Sequence, residues 1–132
     1  MIVVDTSVWI DYFNGVHTRE TDVLDTALGN QEILVGDLIL TKILQGFRRD
    51  ADFTRAQQLF SAFPIVTMLG PELAVRSAEH YRALRTRGVT VRKTIDVMIG
   101  TYCIAHDLPL LYADRDFDFM VRHLGLQKPD PL

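Results

Sequence analysis

The sequence predicts an α/β fold in which helices cover both faces of a short parallel sheet. Two observations support this prediction. Short, wholly apolar and β-branched runs, of which Ile2–Val4 is the first, indicate strands buried on both faces, as in the centre of a parallel sheet. Longer segments with helix signals separate these runs along the chain, and strands that alternate with helices are typical of a parallel sheet between helical layers.

The N-terminal half predicts two strands, each followed by a helix with a capping residue at its start. Thr6 or Ser7 can cap the helix after the first strand, and Asp37 can cap the helix after the second strand, Glu32–Gly36. Asn14 and the glycine after it stop the first of these helices. The helices predicted in this half are 8–13, 18–29 (opened by Thr18 or Thr21), 37–47 and about 52–63.

The C-terminal half predicts two further strands, "PIVTML" (64–69) and "LPLLYA" (108–113), and three helices. Pro71 opens a long helix that ends at Gly88, because proline is favoured in the first helical turn. Thr94 caps a helix that is apolar on nearly every face, and Asp114 caps the last helix. "LGLQ" (124–127) is a candidate edge strand, so we expect four to five strands.

Length and composition indicate one ordinary globular domain, residues 1–132. The chain is 48% hydrophobic and 23% charged, with a net charge of −3 that does not exclude a local basic surface. Its single cysteine, Cys103, excludes an internal disulfide and a cysteine-based metal site, and is expected in the core. The first residues lack the basic segment of a signal peptide and no apolar run spans a bilayer, so we expect a cytoplasmic protein with no membrane contact.

Acidic residues follow the predicted strands at the points where the strands end. They are Asp5, Asp37 and Asp114, and Asp96 lies at the start of the most apolar helix. Function in open α/β sheets gathers at the carboxyl ends of strands, and converging carboxylates repel one another unless a cation binds. Oxygen ligands without cysteine suit Mg²⁺ or Mn²⁺. Asp37 and Asp114 can also be simple caps and Asp96 a first-turn acid, whereas Asp5 has no obvious structural need.

Four segments resemble, in order, the motifs of the PIN-domain ribonucleases, and more closely those of the VapC toxins of bacterial type II toxin–antitoxin operons. The segments are "MIVVDTSVWIDYF", "LILTKILQGFR", "RGVTVRKTIDVMIGTYCIAH" and "LLYADRDFDFM". The resemblance runs from the first strand to the last helix. It implies a PIN-domain α/β/α sandwich whose acids bind Mg²⁺ and hydrolyse RNA phosphodiesters, and a VapB-type antitoxin that neutralises the activity.

The resemblance also implies roles for individual residues. Asp5, Asp96 and Asp114 match the catalytic, metal-binding acids of the family, and Asp116 matches an auxiliary catalytic acid. Thr6 matches a hydroxyl that helps to order water or metal.

Lys42 departs from the family pattern, because the family has a catalytic glutamate in "LTEILQG" where this chain has "LTKILQG". An ammonium at this position would pair with Asp5 or Asp96. We therefore expect weaker Mg²⁺ binding and impaired catalysis, and a fold at least as stable without metal. The alternative is a catalytically inactive PIN domain that binds antitoxin or RNA. A phosphotransferase with Asp5 as nucleophile is a weaker alternative, because such enzymes usually carry a second aspartate where this chain has Ser7.

Two sets of side chains are candidates for binding partners. Cations expected near the acids are candidate RNA contacts, although a solvated helix face explains each of them about as well: Arg48, Arg49, Arg87, Arg92 and Lys93. The resemblance implies an apolar groove near the first helix for the C-terminal segment of the antitoxin, with candidates that can also be core residues: Trp9, Tyr12, Phe13 and Phe47. It further implies a homodimer that assembles with antitoxin dimers.

Overall fold

A four-stranded parallel sheet forms the centre of the computed structural model, which describes all of residues 1–132. The strands are β1 (Ile2–Val4), β2 (Ile33–Gly36), β3 (Ile65–Val66) and β4 (Leu110–Leu111), and they lie in the order β3-β2-β1-β4. Every residue of β1 and β2 is buried, as their apolar runs predict. The predicted α/β class is therefore confirmed, although β3 and β4 are shorter than predicted.

The predicted fifth strand, 124–127, does not form. Gly125 adopts a left-handed conformation with φ of 81° directly after the last helix, which turns the chain away from an extended path. One backbone hydrogen bond to the sheet remains, from the Leu110 amide to the Gln127 carbonyl at 2.9 Å. The sheet therefore ends at β4.

Seven helices flank the sheet: α1 (Thr6–Phe13), α2 (Arg19–Ala27), α3 (Asp37–Leu44), α4 (Asp50–Phe60), α5 (Pro71–Thr86), α6 (Thr94–Ala105) and α7 (Asp118–Leu124). α1 packs against α2 and α3, and α3 against α4, while α5, α6 and α7 form a second group. Because parallel crossovers are right-handed, the reversal of strand order after β3 places these two groups on opposite faces of the sheet. The result is the expected α/β/α sandwich. No helix combines the length and the apolar character needed to cross a membrane.

Helix starts in the first half of the chain differ in part from the predicted caps. Asp5, not Thr6 or Ser7, caps α1, because its carboxylate accepts a hydrogen bond from the Ser7 amide at 3.1 Å. Asp5 therefore has a structural role that its sequence position did not reveal. Both predicted openers of α2 contribute to one capping box, in which the Thr18 and Thr21 side chains accept each other's backbone amides.

Three other predicted caps hold different positions. Asp37 and Thr94 are the first residues inside α3 and α6, since the extended residues before them occupy the capping positions. Asp37 instead accepts the Met68 amide at 3.1 Å, which ties α3 to the segment after β3. Asp114 caps a short 3₁₀ turn, Arg115–Phe117, that leads into α7.

The strand order determines where a ligand crevice lies. The chain runs from β1 outward through β2 to β3, then returns to place β4 on the other side of β1. Val3 accordingly pairs with Leu34 on one side and with Leu110 on the other. In open α/β sheets, ligands bind outside the carboxyl ends of the strands at such a reversal. Asp5 follows β1, and Asp114 lies three residues beyond β4, so this topology brings two of the predicted acids to the same edge.

Candidate active site

Three carboxylates converge at the carboxyl edge of β1 and β4. Oxygen atoms from Asp96, Asp114 and Asp116 all lie within 4.8 Å of one another. Asp96 is in the first turn of α6 and only 1% exposed, whereas Asp114 and Asp116 are partly buried. The Asp116 amide donates to Asp114 Oδ1 at 3.0 Å, so the 3₁₀ turn holds these two acids together. Asp116, predicted only as an auxiliary acid, thus lies among the three.

Asp5 lies beside these acids with 2% of its surface exposed. Its Oδ2 accepts the Ser7 hydroxyl at 2.6 Å, and Ser7 Oγ in turn accepts the Ala113 amide at 3.1 Å. Ser7 therefore links the residues that follow β1 and β4. The sequence had indicated Ser7 only as a possible helix cap, not as this link. Asp5 is not part of the converging set of three, and its role as a metal ligand stays a prediction.

Lys42 reaches the site from α3 and donates to Asp96 Oδ1 at 3.0 Å. The lysine side chain is 19% exposed and the aspartate side chain 2%, so little water screens the pair. Burial raises the pKa of Asp96 above its ordinary value, against the opposing effect of the Lys42 ammonium, and the nearby Asp5 carboxylate adds to the rise. The sequence predicted an ion pair with Asp5 or Asp96, and the structure selects Asp96.

A second ammonium, that of Lys93, donates to Asp114 Oδ2 at 3.0 Å. Burial raises the pKa of Asp114, but the Asp116 amide and the Lys93 ammonium outweigh it, so the pKa lies below its usual range. Lys93 was predicted as an RNA contact, and its pairing with Asp114 was not expected. The two residues are 21 positions apart, and no local pattern signals their contact.

The oxygen atoms left free at the site fit a hard divalent cation. Asp5 Oδ1, Asp96 Oδ2 and Thr6 Oγ1 are buried without a hydrogen-bond partner. Buried polar atoms without partners are costly unless water or an ion satisfies them. An all-oxygen donor set suits Mg²⁺ or Mn²⁺. The ammonium groups of Lys42 and Lys93 engage other oxygens of the same cluster, so they compete with a cation without removing every donor.

The predicted RNA contacts spread over several parts of the surface. Lys93 is the one of the five that contacts an acid of the site, and Arg92 is exposed beside it. Arg87 lies at the end of α5, where its Nη1 is 3.4 Å from His123 Nδ1. Arg48 and Arg49 are exposed in the loop between α3 and α4.

An apolar groove of about 160 Å³ lies between α1 and α4 and contains two of the four predicted groove residues, Phe13 and Phe47. Trp9 is instead a core residue, 2% exposed, and stacks under Phe13 with ring centroids 5.8 Å apart. Tyr12 lines a different cavity, and its hydroxyl donates a hydrogen bond to Asp25 at 2.9 Å. The remaining groove residues come from α4 and were not predicted: Asp52, Arg55, Ala56 and Leu59.

The parallel sheet and its acidic edge are those of a PIN domain, and a sequence model of the PIN domain matches residues 2–121. The chain belongs to the PIN-domain family. Within that family it is similar to "VapC ribonuclease Mb1587" of Mycobacterium bovis and to "Ribonuclease VapC11" of Mycobacterium tuberculosis. It is 30% identical to each over 129 residues, and each alignment covers 96% of this chain and 96% of the relative.

Solved structures share the fold at lower sequence identity. The chain superimposes on a chain of VapBC2 from Rickettsia felis, bound to a DNA fragment from its promoter, with a TM-score of 0.77 at 16% identity. For VapBC-1 from Haemophilus influenzae the TM-score is 0.75 at 14% identity, and each alignment covers 98% of both chains. At these identities the likeness shows the fold alone.

Proposed function

We propose that this protein is a Mg²⁺-dependent endoribonuclease toxin of a toxin–antitoxin pair, impaired by Lys42 and neutralised by a VapB-type antitoxin. The observation that supports this most directly is the convergence of Asp96, Asp114 and Asp116 where the strand order reverses. The similarity to VapC ribonucleases over 96% of the chain indicates RNA as the substrate. Mn²⁺ can replace Mg²⁺ in an all-oxygen site.

The proposed chemistry has two parts: the acids hold a cation, and one of them orients the attacking water. Asp5, Asp96 and Asp114, with Asp116 beside them, would hold the cation. A bound divalent ion supplies charge neutralisation at a phosphate oxygen and a lowered pKa for water. Thr6 Oγ1, which lacks a partner, is free to order a water molecule.

Asp114 or Asp116 then orients the attacking water and accepts its proton. The lowered pKa keeps Asp114 ionised, so its carboxylate can orient the water, and makes it a weak base that passes the proton on to solvent. Attack forms a bond from the water oxygen to phosphorus and breaks the bond from phosphorus to the 3′ oxygen, which takes up a proton from solvent water as it leaves. The products are a 5′-phosphate and a 3′-hydroxyl.

Lys42 weakens this site in two ways. It replaces a carboxylate of the family pattern, and its ammonium holds Asp96 Oδ1 at 3.0 Å. The site therefore offers a cation one oxygen ligand fewer, and the nearby ammonium repels the cation. We therefore expect this chain to cleave RNA more slowly than the Lys42→Glu variant.

The groove between α1 and α4 is the proposed antitoxin site. Phe13 and Leu59 are 39% and 47% exposed there, and a groove lined by exposed apolar side chains suits a partner segment that buries them. Asp52 and Arg55 supply polar groups for orienting such a segment. We extend the proposal to a homodimer that assembles with antitoxin dimers in the cytoplasm.

Cleavage of RNA by the unmodified chain and by Lys42→Glu tests the catalytic proposal. With excess Mg²⁺, we expect Lys42→Glu to cleave RNA about 100-fold faster or more, because it regains a catalytic carboxylate. Asp96→Asn in the same background is the control, and it and a chelator should both abolish cleavage. Failure of Lys42→Glu to cut any cellular RNA would contradict the proposal.

The Lys42–Asp96 ion pair favours one second candidate, a non-catalytic PIN domain that acts by binding antitoxin or RNA. In that case the unmodified chain would not cleave RNA even with excess Mg²⁺, while its binding to antitoxin or RNA would persist. Cleavage by the unmodified chain at the rate of Lys42→Glu would exclude this candidate.

A further inference from the structure

A second cleft opens beside the acidic site, next to the carboxyl end of β4. It has a volume of about 190 Å³, and its wall includes Ala113 and Arg115. These two residues flank Asp114 in the chain. The Ala113 amide also donates to Ser7 Oγ, the hydroxyl that donates to Asp5. The cleft therefore shares backbone with the acidic site but has its own lining.

Three cations and two acids line this cleft, and the cations are incompletely paired. Arg19 and Arg115 are exposed, and neither forms an ion pair within the protein. Lys128 makes only a loose pair with Asp118 at 3.9 Å, and the same carboxylate already accepts the Tyr112 hydroxyl. The second acid is Glu20. The two unpaired guanidinium groups thus present donors to one small volume, and such donors match the oxygens of a phosphate.

We propose that this cleft binds a backbone phosphate of the RNA strand next to the phosphodiester that lies at the acids. The inference rests on the proposed ribonuclease function and adds a substrate contact to it. Arg115 lies between Asp114 and Asp116 in the 3₁₀ turn, so the turn that positions the acids also positions this guanidinium. Arg19 is the first residue of α2, where the helix dipole adds positive potential that Glu20 and Asp22 of the same turn offset in part. A strand held here extends from the acids past β4.

RNA binding without cleavage tests the proposal. Fluorescence anisotropy of a labelled 12-nucleotide single-stranded RNA would be recorded with a chelator present, at 50 to 200 mM KCl. We expect the Arg19→Gln/Arg115→Gln variant to bind about tenfold more weakly, and the slope of log affinity against log salt to fall by about 0.7 for each lost phosphate contact. Arg76→Gln/Arg82→Gln, which removes two exposed arginines of α5, is the matched control and should bind as the unmodified chain does.

Arg19→Lys/Arg115→Lys separates charge from structure. It should recover most of the affinity and the salt slope, because lysine retains the positive charge. Since both arginines are exposed, circular dichroism should show every variant folded.

Three results would overturn the inference. Unchanged affinity and slope in Arg19→Gln/Arg115→Gln would refute the cleft and leave the ribonuclease proposal standing. Absence of RNA binding by the unmodified chain would contradict both the cleft proposal and the ribonuclease proposal. Loss of antitoxin binding with unchanged RNA binding would make the cleft a protein contact instead.

Discussion

At position 42 a positive charge replaces the glutamate of the family pattern, and its neighbours show what that change does. The Lys42 ammonium is 3.0 Å from a carboxylate oxygen of Asp96, whose other oxygen is buried without a partner. Burial keeps the pKa of Asp96 raised even with the ammonium present. The site thus carries excess negative charge that lysine compensates in part and a divalent cation would compensate more fully.

Mg²⁺ affinity should therefore depend on this residue. We expect Lys42→Glu to bind Mg²⁺ at least about tenfold more tightly in calorimetric titration, and Lys42→Met to be intermediate because it frees Asp96 without adding a ligand. Arg82→Glu makes the same change of charge on an exposed face of α5 and should leave affinity unchanged. Equal Mg²⁺ affinity in the lysine and glutamate forms would show that Lys42 does not compete with metal.

Among the helices, α5 and α6 share a polar contact inside their interface. His80 Nδ1 of α5 lies 2.8 Å from the hydroxyl of Thr101, which is fully buried in α6. Burial lowers the pKa of His80, the Arg76 charge lowers it further, and Glu79 opposes them. α6 also carries Asp96, so this contact helps to hold the helix that positions a site acid.

Stability should consequently fall as the medium becomes acidic. Because the pKa of folded His80 is below the unfolded value of about 6.5, the unfolded state binds more protons in that range. The contribution of neutral His80 is complete above pH ~6.5 and is lost as the pH falls from there through the folded pKa. Urea midpoints at pH 7.5 and 5.5 should differ more for the unmodified chain than for His80→Gln. His17→Gln, at an exposed position, serves as control, and an equal pH response in all three would contradict the prediction.

Across the whole molecule, the site depends on the path of the chain. Asp5 follows β1, Lys42 comes from α3, Asp96 from α6 and Asp114 from the turn after β4. Lys42 and Asp96 are 54 residues apart in sequence, and their pair joins the two helical groups of the sandwich. Removing it should affect the stability of the entire fold.

Thermal melting without metal measures that contribution. We expect Lys42→Glu to be destabilised by about 3 kcal/mol, because it breaks a largely buried ion pair and adds a like charge. For a domain of this size the midpoint should fall by roughly 10 °C. Saturating Mg²⁺ should raise the midpoint of Lys42→Glu more than that of the lysine form, since ligands that bind only the folded state stabilise it. A lower metal-free midpoint for the lysine form would refute this account.

The sequence alone was sufficient for the α/β class, the first two strands, the seven helices and the acidic character of the site. These features follow from local periodicity, capping residues and the order of four motifs, and each of these signals involves residues that are close together in the sequence. Local signals were less reliable for the ends of elements. Leu108 and Leu126 satisfied the apolar pattern of a strand, but their amides donate to the Cys103 and Met120 carbonyls at the ends of α6 and α7.

Contacts between distant residues were decided only by the tertiary structure. Tertiary packing made Trp9 a core residue and left Leu59 exposed in the groove, although both are apolar residues on amphipathic helices. It also paired Lys93 with Asp114 and linked Asp5 to Ala113 through Ser7. Local sequence patterns specify which side chains a helix or turn presents, but their partners depend on how the sheet orders its strands. The acids of the site were therefore predictable from sequence, whereas the lysines that form ion pairs with them were predictable only in part.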